Sequence, residues 1–282
     1  MTARKGRAAT TKAAIIVKRT EPKAGTTALA IQERLAEMGV EATIDDSWDK
    51  PLAPGTQVAI VLGGDGTLLS AARRAAPMRI PILGVNMGNL GFLTEVEPAD
   101  VGDALHALKA GDFGIEERTM VEVRVRRKGS TIETLIGLND IVITKGAFAR
   151  LISLDVFVNE EYYAKFTADG VIVCSPTGST AYSLSAGGPL VNPNIDVLLV
   201  TPICPHTLFS RSLVIAGSDT VRVVVDAPHE QVAVTVDGQI GLALESGDEV
   251  IVGRAPHVTR FVKLHDRNFY GVLRGRLKED RL

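Results

Sequence analysis

"TQVAIVL" (56–62), "GGDGT" (63–67) and "LLSAARRAA" (68–76) follow one another without a break, and this junction decides the fold class. Val58–Leu62 is an unbroken apolar run, too short for a helix and without the alternation of a strand wet on one face. It predicts a strand buried on both sides. "TLLSAARRAA" carries helical spacing and stops at Pro77. Gly63, Gly64 and Gly66 between them allow a tight turn and the close approach of a ligand to the backbone. Helix N-termini present free N–H groups to phosphate, and open α/β sheets bind ligands at the carboxyl ends of their strands. The loop matches neither the G-x-x-x-x-G-K-[ST] nor the G-x-G-x-x-G pattern. Asp65 reads equally as a helix-start cap and as a group facing a ligand.

Outward from this junction the first part keeps the same rhythm. "AAIIV" (13–17) reads as a strand and "TTALAIQERLAEMG" (26–39) as a helix ending at Gly39. "RIPILGV" (79–85) is a further strand, and "PADVGDALHALKAG" (98–111) a helix opened by proline and closed by glycine. Strands alternating with helices predict a parallel, Rossmann-like sheet over residues 13–115. After Gly114 the period becomes two: Val121, Val123 and Val125, then Val221, Val223 and Val225, then Val232, Val234 and Val236. Residues 116–264 therefore predict a mostly-β domain of layered sheets or a sandwich. "MTARKGRAATTK" (1–12) reads as a disordered basic tail, with a nucleic-acid arm as the alternative.

The 282 residues are 45% hydrophobic and 23% charged, with net charge −2 and pI about 6.2. That balance gives no electrostatic case for nucleic acid, and no apolar window reaches membrane-spanning length. Cys174 and Cys204 are the only cysteines and form no C-x-x-C pair, so neither a zinc site nor a disulfide framework is expected. A cytoplasmic location is the default.

Two other segments hold polar groups suited to a nucleotide. "GVNMGNLGF" (84–92) is a second glycine loop after a strand, and two such loops can line one crevice. "DGVIVCSPTGSTAYSLSAGGPLV" (169–191) packs Ser175, Thr177, Ser179, Thr180, Tyr182, Ser183 and Ser185 among glycines. Its hydroxyls suit hydrogen bonding to a nucleotide, and Tyr182 suits a base or ribose; the plainer reading is a loop that solves turn geometry. Asn139 and Asp140 in "GLNDIVI" can grip a ribose diol or form an Asx turn. "TVDGQ" (235–239) reads as a hairpin turn. His206 beside Pro205 is a structural residue before it is a catalytic one. No histidines share metal-ligand spacing, and no G-x-S-x-G elbow occurs.

Together these segments resemble the NAD kinase family: "GGDGT" (63–67), "LGVNMGNLGFLTE" (83–95), "LND" (138–140), "DGVIVCSPTGSTAYSLSAGGP" (169–189), "TPICPHTL" (201–208) and "VDGQ" (236–239). The order and spacing fit from about residue 13 to 270. "GGDGT" alone is shared with lipid kinases; the 175–189 segment singles out NAD kinases, here with Ser175 in its first position. The resemblance implies transfer of the terminal phosphoryl group of ATP to the 2′-hydroxyl of the adenosine ribose of NAD, giving NADP. It implies that 265–282 packs back onto the α/β domain. It makes Asp65 the proton acceptor, in a phosphate loop of Gly63, Gly64, Gly66 and Thr67. It assigns NAD binding to Asp65, Gly66, Asn139, Asp140, Arg150, Thr167, Asp169, Thr180, Ala181, Tyr182, Ser183, Leu184, Ser185 and Gln239. Asp140 stands where the family often has Glu, one methylene longer. No protein metal site is expected; magnesium arrives with ATP. Partners are NAD, ATP and further copies of the chain, as a dimer or tetramer. The alternatives are a lipid kinase sharing the glycine loop and a nucleotide-sensing module without turnover.

Overall fold

The computed structural model describes residues 10–18, 22–88, 91–147, 150–206, 211–228, 231–264 and 269–279. In chain order these form β1 (Lys12–Val17), α1 (Pro22–Glu37), β2 (Glu41–Asp45), β3 (Val58–Leu62), α2 (Asp65–Ala75), β4 (Ile82–Val85) and α3 (Val101–Ala110). Then come β5 (Gly114–Arg127), β6 (Ser130–Gly137), β7 (Asp140–Lys145), β8 (Ile152–Val158), β9 (Glu161–Ala168), β10 (Gly170–Cys174) and α4 (Tyr182–Ser185). The remainder is β11 (Val197–Ile203), β12 (Leu213–Ala216), β13 (Val221–Asp226), β14 (Val232–Val236), β15 (Ile240–Leu244), β16 (Glu249–Lys263) and α5 (Phe269–Glu279). The chain divides into two compact units, Met1–Arg118 with Val258–Leu282, and Thr119–His257. No helix among the described residues is long and apolar enough to cross a membrane.

The first unit is a parallel sheet in the order β2-β1-β3-β4, with Phe261 of β16 beside Ile82. Every residue of β3 is buried, as its unbroken apolar run requires. Burial of each such Val, Leu or Ile side chain is worth roughly 1.5–3 kcal/mol. One core joins Ile15, Ile60 and Leu83 to Ala28, Ile31 and Leu35 of α1 and Leu105 and Leu108 of α3. Strands β3 and β4 run side by side with Leu62 opposite Val85, so the two glycine loops leave the same end of the sheet.

Some boundaries differ from the sequence expectation. The helix expected from residue 26 begins at Pro22, since proline suits a first helical turn and Gly25 is tolerated there. The strand expected over 79–85 is only Ile82–Val85. Strand β2, short and only partly buried, was not among the strands expected from sequence. Residues 10–12 of the expected tail are placed: Thr11 donates its N–H to Gln57 Oε1 at 2.7 Å and Lys12 opens β1. Residues 1–9, 265–268 and 280–282 lie outside the described residues.

The second unit is a sandwich. A six-stranded sheet in the order β12-β11-β10-β7-β14-β15 faces strands β13, β8 and β9 and the hairpin β5–β6. Their inward residues share one core, in which Val121, Val123 and Val125 of β5 meet Ile141 and Ile143 of β7, Val171 and Val173 of β10, and Val232, Val234 and Val236 of β14. On the outer face of the six-stranded sheet, Val142, Ile172, Cys174 and Leu199 form a further buried cluster with Val191. This second covering explains why β10 is apolar throughout instead of alternating.

Candidate functional site

In the first unit Gly64 occupies the cap position of α2, in extended backbone, and Asp65 is the first helical residue. Asp65 is therefore not the cap of this helix. Its carboxylate reaches the other glycine loop: Oδ2 accepts the Phe92 N–H at 2.9 Å and Oδ1 accepts the Leu93 N–H at 3.0 Å. Both glycine loops are closely packed around this clasp. A Cβ on Gly63 would lie 2.4 Å from Thr67 Oγ1, and one on Gly91 would lie 2.2 Å from Asp65 Oδ1. Gly66 and Thr67 continue the first turn of α2, with Thr67 buried.

The second loop is tied down at two more points. Asn86 Nδ2 donates to Gly88 O at 2.9 Å and to Glu97 Oε2 at 3.1 Å. Glu95, only 3% exposed, pairs with Lys263 and accepts the Leu264 N–H at 2.9 Å. A buried carboxylate without such partners would be strongly destabilised. Asn89 and Leu90 of this loop lie outside the described residues.

In the second unit, β7 starts at Asp140, β10 ends at Cys174 and β14 ends at Val236, all at one end of the six-stranded sheet. The segment entering β7 is held by two residues. Asp237 Oδ2 accepts the Leu138 N–H at 3.1 Å, and its Oδ1 accepts those of Asn139 at 2.8 Å and Asp140 at 3.3 Å. Ser175 donates its hydroxyl to Leu138 O at 2.6 Å and its N–H to Asn139 O at 2.9 Å. The segment lies so close to the next loop that a Cβ on Gly178 would sit 2.2 Å from Asn139 O. Asn139 is half-buried and Asp140 is 4% exposed. Burial, and secondly the charge of Asp237, pushes the Asp140 carboxyl up to about 7.

The hydroxyls of the 175–185 loop divide into two sets. Ser175, Ser179 and Ser183 are buried and hold the loop together: Ser179 Oγ donates to Pro176 O at 2.7 Å and accepts the Val191 N–H at 3.0 Å. Ser183 Oγ meets Thr201 Oγ1 at 3.0 Å. Ser183, expected to touch a ligand, thus turns its hydroxyl inward. Thr180 is half-buried and gives its hydroxyl to Thr177 O at 3.1 Å, and Ala181 is half-buried beside it. Tyr182, Leu184 and Ser185 of α4 are exposed, with Tyr182 45% open. Gln239 is exposed beside the Asp237–Gly238 turn, where both residues have positive φ (50° and 63°) as the expected hairpin needs.

Thr167 and Asp169 are not brought to this end. They lie where β10 begins, about 13 Å along the strand from Cys174. Asp169 pairs with Lys145 Nζ at 3.3 Å and donates its N–H to Ile203 O at 3.0 Å. Thr167 O accepts the His206 N–H at 2.8 Å, giving that histidine a backbone role. Arg150 is exposed in the connection before β8. Asp237, which holds the segment entering β7, was legible in sequence only as part of a hairpin turn, and Ser175, which holds it from the other side, only as one of a group of loop hydroxyls. Among the described residues no group of three or more His, Cys, Asp or Glu side chains is placed to hold a metal ion.

Residues 51–113 match the family model of the ATP-NAD kinase N-terminal domain, and residues 138–264 match that of the ATP-NAD kinase C-terminal domain. The chain belongs to the NAD kinase family. It is 49% identical over 238 residues to the NAD kinase of Carboxydothermus hydrogenoformans, covering 84% of this chain and 83% of that one. The NAD kinase of Geobacter sp. is 43% identical over 282 residues, covering 95% and 98%. Among solved structures, yeast NADH kinase complexed with NADH superposes with a TM-score of 0.86 at 26% identity, over 98% of this chain and 90% of that one. An NAD kinase from Archaeoglobus fulgidus in complex with ATP gives 0.75 at 23% identity, over 95% and 98%, a likeness of fold alone. Neither of the rival readings, a lipid kinase or a sensor without turnover, is favoured by these relatives.

Proposed function

We propose that this protein is an NAD kinase, which moves the terminal phosphoryl group of ATP to the 2′-hydroxyl of the adenosine ribose of NAD and releases NADP and ADP. The observation that carries this is the Asn139–Asp140 pair held at the sheet end against the loop that begins at Ser175, in a chain whose relatives are NAD kinases, one of them matched over 98% of its length. Asn139, Asp140, Thr180–Ser185 and Gln239 are read as NAD-binding residues; of these Tyr182, Leu184, Ser185 and Gln239 are exposed, while the buried Ser183 side chain holds the loop that carries its neighbours. Asp169, Thr167 and Arg150 are read as further NAD contacts.

Phosphoryl transfer passes through a loose transition state, so the protein contributes mainly position and charge. A carboxylate is a weak base for an alcohol, but it orients the attacking hydroxyl and accepts its proton as the P–O bond forms. Asp65 takes this role, and the two N–H groups at its oxygens fix its direction. Gly63, Gly64, Gly66 and Thr67 are read as the phosphate loop at the start of α2, where the positive end of the helix dipole complements phosphate charge. Magnesium enters as part of the ATP substrate and neutralises its phosphates. The working form is a homodimer or homotetramer in the cytoplasm.

Incubation with ATP, magnesium and NAD tests the proposal by formation of NADP. Phosphorylation of a lipid in place of NAD, or binding of NAD with no product, would overturn it. Light scattering gives the oligomer size.

A further inference from the structure

We infer that Asp237 is a positioning residue for NAD binding, because its carboxylate and its own peptide fix the segment that carries Asn139 and Asp140. This rests on the reading that those two side chains hold NAD. All six backbone polar groups of Leu138, Asn139 and Asp140 are taken by two residues. Asp237 receives the three N–H groups and gives its own N–H to Asp140 O at 3.0 Å, while Ser175 takes the carbonyls of Leu138 and Asn139. Hydrogen bonds to an ionised acceptor are about twice as strong as neutral ones. Three of them from consecutive residues leave the peptide little freedom to rotate, so the two side chains leave it in set directions.

The hairpin turn by itself does not need this residue type. Asp237 has φ 50° and Gly238 φ 63°, and Asn or Gly serves such a turn as well as Asp. What only the carboxylate supplies is a charged acceptor with two oxygens. Gly137 leaves room for it, since a Cβ there would lie 2.9 Å from Asp237 Oδ1. Asp237 is only 8% exposed, so it acts through Asn139 and Asp140.

Steady-state kinetics on the full chain separate the outcomes. Asp237→Gly keeps the positive-φ turn and removes the anchor; it should raise KM for NAD by about tenfold or more and leave KM for ATP within about twofold. Asp237→Asn should fall between, because its one oxygen still serves Asn139 and Asp140 while its NH2 group opposes the Leu138 N–H. A KM for NAD in Asp237→Gly within about twofold of the parent overturns the inference. Equal rises in both Michaelis constants also overturn it, as the mark of a general structural loss. If Asn139→Ala and Asp140→Asn both leave KM for NAD unchanged, the underlying reading fails, and the inference with it. Should Asp237→Gly not fold, amide exchange in the parent chain decides: slow exchange at Leu138, Asn139 and Asp140 without NAD supports pre-set geometry. Exchange as fast as in an open loop overturns it.

Discussion

Asp65 and Gly91 are fitted to each other: a Cβ on Gly91 would lie 2.2 Å from Asp65 Oδ1 and 3.0 Å from its Cγ. The bare glycine lets the carboxylate meet the Phe92 and Leu93 N–H groups. Gly91→Ala must push the carboxylate away, and misplacement of a catalytic group by about 1 Å can cost about 100-fold. The expected outcome is a kcat lower by about tenfold or more with KM for NAD little changed. Steady-state NADP formation measures both.

Asp65→Asn should lower kcat by about 10²–10⁴-fold, the usual worth of general-base catalysis. The change keeps the volume but turns an NH2 group toward one of the two N–H donors. Isothermal titration with NAD should still detect binding, and full turnover would remove Asp65 from the base role.

Asp140 makes stability depend on pH. Its carboxyl rises from 3.8 in the unfolded chain to about 7 in the fold, through burial first and the facing charge of Asp237 second; the other titratable group it meets is the Cys174 thiol. Between these values the unfolded chain has lost a proton that the folded chain keeps. Stability from this group is therefore present below about pH 4 and falls as pH rises to about 7, by a few kcal/mol in all. Asp140→Asn should gain stability relative to the parent as pH rises through that window. Denaturant titrations at pH 5 and pH 8 give the comparison.

Tyr182 is 45% exposed on α4, so truncating it should cost under about 0.5 kcal/mol of stability. Tyr182→Ala should nevertheless raise KM for NAD by about fivefold or more, the loss of one aromatic contact. Thermal unfolding and kinetics on the same sample separate the two effects. Gly25→Ala is the opposite control: the added Cβ meets nothing within 4 Å on exposed helical backbone. It should stabilise the fold by about 0.5–1 kcal/mol and leave turnover unchanged.

The parts of the fold legible in sequence are those fixed by local pattern. Val58–Leu62 had to be buried on both faces, and Val221, Val223 and Val225 on one, because apolar period reports burial directly. Strand β2 was not legible, since the alternation in Glu41–Asp45 rests on only two apolar residues, Ala42 and Ile44, too short a pattern to stand out. The loop hydroxyls were legible as a group but not individually: the inward turn of Ser183 depends on Thr201, a partner on another strand. Asp237 shows the limit most clearly. Locally it spells a turn with Gly238, while its bond to Asn139 spans 98 residues and leaves no local trace. The clasp of Asp65 on Leu93 is equally a contact between separate loops, though adjacent strands made their meeting foreseeable.

Cys174 ends β10 in the buried cluster of the second unit, where burial pushes its thiol up to about 12. Cys204, just past β11, is exposed. Because the thiolate is the species that reacts, the native chain offers a maleimide or iodoacetamide reagent a single point of attachment. A fluorophore can thus be seated at Cys204 without removing any native cysteine, and labelling at a second position on adding urea would time the opening of the sandwich.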